Sequence, residues 1–419
     1  MSAMIEDIRK YDFIDALRGY AILLVLLVHS SQSVAPINHT LQRLMNNGAR
    51  GVQLFYIASA LTLCMSWRYR SKLEISPFRN FIIRRFFRIA PMFYVAIVFY
   101  VLLYGFSPRC GSPNGIEWWF VPLTALFLHG FHPETITSVV PGGWSIAVEM
   151  NFYLVLPLLL HYLTTIKSSI YFFLFSLCLY GISRLAFNHL FSGMYPTNQQ
   201  YLVPMFIYMN FFGQLPVFAI GICVYFAFSN VDALKRVVIF GNLLFMLWIV
   251  LLMLLPSSDN ITRLFGNYIA IAAIFALFAI TLSVFPVAIL VNRVTTQLGK
   301  ISFSMYLSHF AVLHFFAKYG ISTLFENGDT SSILHFLCVV AVTAPLSYIL
   351  YTTIERKGIL LGKRIVDRLN HCSEARFKII HPNATAGDPA LGEADHLPGG
   401  PRPYVGFSPI WISSVRKER

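Results

Sequence analysis

The chain reads as an all-α polytopic membrane protein of about ten transmembrane helices with both termini in the cytoplasm. Of its 419 residues 56% are apolar and 12% charged, with a mean hydropathy of +0.63, a mix outside the range of soluble globular domains. Apolar stretches of about 17–25 residues, enough to cross ~30 Å of hydrocarbon, recur between short polar connections. Basic residues gather in alternate connections, as the positive-inside rule requires.

The expected spans are 14–34, 51–67, 81–105, 144–165, 169–189, 202–228, 237–255, 263–284, 299–319 and 332–354. With the N-terminus inside, the inner connections hold Arg68, Arg70, Lys72, Arg79, Arg84, Arg85 and Arg88, then Lys167, Lys235 and Arg236, then Arg293 and Lys300. Arg356, Lys357, Lys363 and Arg364 follow the last span, whereas the outer side offers Arg43, Arg50, Arg109, Arg263 and Lys318. The piece 117–131 (EWWFVPLTALFLHGF) is short for a span and holds Pro122, so it is expected as an interfacial or re-entrant helix of an outer loop. Residues 1–13 form a short cytoplasmic segment, 14–365 the transmembrane domain, and 366–419, rich in Gly, Pro and Ala, a largely disordered cytoplasmic tail.

The first span is too long for a signal-peptide core and lacks a convincing cleavage site after it, so it is expected to stay. The six cysteines, Cys64, Cys110, Cys178, Cys223, Cys338 and Cys372, form neither a disulfide framework nor a CxxC metal site. A net charge of +13 is explained by membrane topology without a nucleic-acid partner.

Arg18 and His29 lie inside the first span, and an ionisable residue in hydrocarbon is a functional hypothesis by default. Eleven positions at ~100° each return to within ~20° of one face, about 16 Å apart along the axis. Asp15, three residues before Arg18, is placed to hold it. Arg85 and Arg88, one turn apart in RRFFRIAP, are either an inner-leaflet anchor or two forks for bidentate phosphate binding. Arg18 at the same depth favours the second reading: three arginines at an inner mouth with a histidine deeper suit acyl-coenzyme A, its phosphates held and its pantetheine arm reaching inward. His29 is then a general base, a transient acyl carrier, or a structural histidine bonded to a neighbouring helix.

Glu149, in PGGWSIAVEMNFYLVLP, lies ~7 Å inside a descending span, at a depth where it is expected to meet and tune His29. Its alternative is a structural acid paired with an arginine. Ser302, Tyr306 and His309 recur at i, i+4 and i+7 on one helical face, a polar stripe turned to a bundle interior or wet cavity. Residues 51–59 (GVQLFYIAS) offer small and amide side chains for close packing on the first helix.

These motifs together resemble the integral-membrane acyltransferase family 3, whose members O-acylate bacterial surface and secreted glycans; the likeness covers residues 10–365. The family's Arg and His with ten residues between them match Arg18 and His29, and its Arg-x-x-Arg matches Arg85 and Arg88. Its Trp-Ser-x-x-x-Glu-x-x-Phe-Tyr signature matches Trp144, Ser145, Glu149, Phe152 and Tyr153. Its Ser-x-Ser-x-Tyr-x-x-His stretch matches Ser302, Ser304, Tyr306 and His309, and its Ile-Glu-(Lys/Arg) matches Ile354, Glu355 and Arg356. The usual Gly-Val-Asp element departs as Gly51-Val52-Gln53, so no role for an acid carries over there.

The resemblance implies acyl transfer, usually acetyl, from cytoplasmic acyl-CoA to a hydroxyl of a glycan or its lipid-linked precursor, in a bacterial inner membrane and without a metal. No hydrolase-like domain follows the membrane part in this sequence, so the bundle is expected to complete both half-reactions or hand the acyl group on. Arg18, Arg85 and Arg88 would hold coenzyme A; His29 and Glu149 would be catalytic; Trp144, Ser145, Ser302, Tyr306 and His309 would support the substrates. The competing classes are a transporter that uses the Arg18–His29 stripe as a pathway and an acyl-relay protein that needs a separate transferase. The sequence does not name the acceptor or the oligomeric state.

Overall fold

In the computed structural model, residues 11–228, 267–284 and 287–380 are described, and among them every regular element is helical. The chain divides into two units, residues 1–370 and 371–419. The helices are α1 (Asp12–Ser31), α2 (His39–Asn47), α3 (Gly51–Arg70), α4 (Pro77–Tyr104), α5 (Phe120–Ala125), α6 (Trp144–Tyr162) and α7 (Ile166–Leu190). They continue with α8 (Leu202–Met209), α9 (Phe211–Phe228), α10 (Asn267–Val284), α11 (Arg293–Lys300), α12 (Ser302–Lys318), α13 (Asp329–Leu350) and α14 (Arg356–Ile380).

Local chemistry sets several of the ends. Pro77 opens α4 at its first turn, where a missing N–H costs nothing, and Gly105 closes it at φ +61°. Thr165 and Asn292 cap α7 and α11 through capping boxes with Ser168 and Thr295.

Six helical stretches among the described residues are long and apolar enough to cross a membrane: α1, α4, α6, α7, Thr197–Phe228 and Asp329–His371. They coincide with six of the ten expected spans. Expected span 237–255 lies outside the described residues, and α3, α10 and α12 are helices at the other three positions that are too polar or too short to qualify. Both α3 and α12 carry buried polar groups, among them Gln53, Ser59, Ser302, Ser304, Ser308 and His309. The count of ten and the placement of the termini stay expectations.

The stretch 117–131 does not span. It holds α5, a left-handed Phe127 (φ +61°) and a short 3-10 turn at His129–Phe131. Phe127 and His129 stack on Phe93, near the middle of α4, at 5.2 and 5.8 Å. The chain also stays helical past residue 366, where the tail was expected to begin: α14 runs to Ile380 and the unit boundary falls after Asn370.

The first helix lies inside the bundle, with α3, α11, α12 and α13 packed on it. Gly19 faces the Thr295 carbonyl and Gly299 faces the Asp15 carbonyl so closely that a Cβ on either would overlap the other backbone. This reciprocal glycine contact seats α1 against α11, as small residues do between membrane helices. Gly51 meets the Ala21 carbonyl in the same way, so the expected packing of 51–59 on the first helix is present at its first residue.

Candidate active site

A cavity among α1, α3, α4, α6 and α12 holds about 670 Å³ of space, counting its open mouth. Arg18, Arg85, Arg88, Ser145, Glu149, Ser302 and Tyr306 all line it. Seven of the ten residues picked out by sequence therefore share one cavity, although they come from four separate helices.

Arg18 donates to Thr62 Oγ1 at 2.8 Å and lies 3.4 Å from Asp15, the expected ion pair. Arg84 is different: its fork grips both Glu74 oxygens at 2.8 and 3.0 Å, tying α4 to the connection after α3. Arg85 is sandwiched over the Phe81 and Tyr153 rings at 5.5 and 5.8 Å. Its Nε is buried and without a hydrogen-bond partner among the described residues. Arg85 also lines the cavity, and a guanidinium there offers a planar fork that suits an anionic ligand.

Glu149 Oε1 accepts hydrogen bonds from Ser59 and Tyr153, each at 2.6 Å. The expected meeting of Glu149 with His29 is not what the contacts show. Its carboxylate lies among the arginines, in the field of Arg18, Arg85 and Arg88. Ser59 and Thr62, one turn apart on α3, take Glu149 and Arg18, so Glu149 sits near the level of Arg18, whereas His29 meets His309 one turn beyond Tyr306.

At the other end of the cavity Ser145 donates to the Tyr306 hydroxyl at 2.8 Å, and Tyr306 donates to the Gly142 carbonyl at 2.9 Å. Gly142 adopts φ +73°, and a Cβ there would stand 3.0 Å from the Tyr306 oxygen, so glycine serves both the turn and the contact. Tyr56 donates to the Ser145 carbonyl at 3.2 Å and packs edge-on to Trp144, which is buried but does not line the cavity. His129 Nε2 donates to the Gly143 carbonyl at 3.0 Å, pinning the same turn from the connection between α4 and α6. Burial pushes the His129 imidazole down to about 4, which keeps it neutral.

His29 does not line this cavity. Its Nδ1 lies 3.0 Å from His309 Nε2, and His309 follows Tyr306 by one turn of α12. Sequence reasoning gave Ser59 only a packing role and assigned none to Thr62, Tyr153 or Glu355. Tyr153 and Glu355 stood inside recognised motifs, and the i, i+4 spacing from Glu149 to Tyr153 was a usable signal. Glu355 is 1% exposed, closes a π-helical turn (Tyr351–Glu355), accepts from Ser304 at 2.7 Å and exerts its field on Arg88. Such turns inside helices recur at functional sites.

A helical membrane bundle with an arginine-lined cavity and a histidine pair one turn beyond it is the class these elements define. The profile of the acyltransferase domain, acyltransferase family 3, matches residues 11–352, and the chain belongs to that family. A protein of Staphylococcus aureus provisionally named an O-acetyltransferase is 22% identical over 386 residues, covering 84% of this chain and 59% of that protein. The peptidoglycan O-acetyltransferase OatA of Listeria monocytogenes is 30% identical over 178 residues, covering 38% of this chain and 26% of its own. Thus the chain spans about three-fifths (59%) of the length of the Staphylococcus relative. No solved structure matches it.

Proposed function

We propose that this protein is a bacterial membrane O-acyltransferase that moves an acetyl group from cytoplasmic acetyl-CoA to a hydroxyl of a cell-surface glycan or its lipid-linked precursor. The observation that carries this reading is the cavity itself, on which Arg18, Arg85 and Arg88 converge from two helices. Family membership supports acyl transfer, and the names of the relatives support a glycan acceptor and acetyl as the group.

In this reading the arginine forks hold the phosphates of the donor. The Glu149 carboxylate, fixed by Ser59 and Tyr153, keeps three neighbouring cations together when the donor is absent. From Arg18 to His29 the first helix rises about 16 Å, a length the extended thioester arm can cover. His29 acts as general base: it takes the proton of the acceptor hydroxyl, whose oxygen bonds to the acyl carbonyl carbon as the carbon–sulfur bond breaks. The leaving thiolate then takes the proton back from His29.

His29→Ala is expected to insert normally and to leave no esterified glycan when acetyl-CoA and glycan are supplied. Mass spectrometry of surface glycans from cells with and without the gene reads the same outcome, one increment naming the acyl group. Full acylation by the alanine variant, or transport of a solute without any ester product, would sink this proposal.

A further inference from the structure

The pair formed by His29 and His309 has a direction. His309 is fully buried, and its Nδ1 lies 3.2 Å from the carbonyl oxygen of Met305. A carbonyl oxygen only accepts, so the proton of neutral His309 sits on Nδ1 and its Nε2 offers a lone pair. The hydrogen in the 3.0 Å contact between the rings must then come from His29 Nδ1. With Nδ1 carrying the hydrogen, the lone pair of neutral His29 is on Nε2. Phe310 lies against both rings, 4.5 Å from His29 and 4.1 Å from His309 by ring centroids, and limits their rotation.

We infer that His309 is a positioning residue that holds His29 in the Nδ1–H tautomer, so that Nε2 is the atom receiving the acceptor proton. The inference rests on the reading of His29 as the base. When Nε2 takes the proton, His29 becomes an imidazolium and its Nδ1–H bond to His309 becomes charge-assisted and stronger. The buried neutral imidazole thus plays the part that a carboxylate plays beneath the histidine of a hydrolase triad. The proton leaves again from Nε2 to the departing thiolate, and both rings return to their starting tautomers.

The geometry also explains why a histidine, and not merely any acceptor, suits position 309. Its Nδ1–H is tied to the backbone of its own helix while Nε2 reaches across to α1, so one rigid ring spans the two helices. A side-chain amide shares the ability to accept at one atom and donate at another, with a floppier stem.

The test uses the full-length protein in detergent or liposomes with acetyl-CoA and glycan. His309→Ala is expected to lower kcat by about 10²–10⁴-fold while the KM for each substrate stays within about twofold, because only the orientation of the base is lost. His309→Gln, which keeps an acceptor for His29 Nδ1–H, is expected to recover at least about tenfold of that loss. Unchanged kcat in His309→Ala, with His29→Ala inactive, overturns this inference and leaves the acyltransferase reading intact. Activity in His29→Ala overturns both. Independently of either variant, nitrogen NMR of histidine-labelled wild-type protein is expected to show His29 protonated at Nδ1, and a proton at Nε2 overturns the assignment.

Discussion

Arg84, Arg85 and Arg88 look alike in the sequence, and the structure separates them. Arg84 is committed to Glu74, whereas Arg85 and Arg88 line the cavity. Removing a charge-assisted contact costs about 1.5–3 kcal/mol, so Arg85→Ala and Arg88→Ala are each expected to raise the donor KM by roughly 10–100-fold. Arg88→Lys should behave much like the alanine variant, since a point charge does not replace a bidentate fork. Arg84→Ala should leave KM nearly unchanged, and titration with acetyl-CoA distinguishes the two groups. The residue types and the helix faces they share were legible from spacing, and seven of the chosen side chains fall in one cavity. Their partners were not legible: helical periodicity states which face a residue occupies, but not which neighbour that face meets, and so Glu149 was matched to His29 whereas its carboxylate lies among the arginines.

Among the elements, the contact between α1 and α11 depends on backbone approach at Gly19 and Gly299. Gly299→Ala would push a methyl into the Asp15 carbonyl, and with no flexible side chain to yield, a loss of at least about 1–3 kcal/mol is expected. A fall in the thermal midpoint of the purified protein checks it. The 105–143 connection carries its own pH dependence. Free histidine titrates near ~6.5, whereas buried His129 titrates at about 4, so the unfolded chain binds this proton first as pH falls. The stability contributed by neutral His129 is therefore complete above about pH 6.5 and is lost progressively toward pH 4. Thermal melts across that window should show a steeper loss for wild type than for His129→Gln, and equal slopes would count against the assignment. Length and the proline at 122 sufficed to exclude a span at 117–131, but nothing local announced that Phe127 and His129 would stack on Phe93.

For the whole molecule, the charge asymmetry predicts that the connection between α3 and α4 faces the cytoplasm and the one between α1 and α2 faces outward. In a cysteine-free background, Ile37→Cys should be labelled by an impermeant maleimide in intact cells, and Leu73→Cys only after lysis. The reverse pattern would invert the orientation and with it the donor side. Membrane class, helical fold and most of the residues that line the cavity follow from composition and period, because bilayer thickness and the helical repeat act on each segment separately. The arrangement of those residues required the packed bundle. Buried polar groups must find partners on other helices, and it is packing that gave Glu149 to Ser59, Glu355 to Ser304 and His29 to His309.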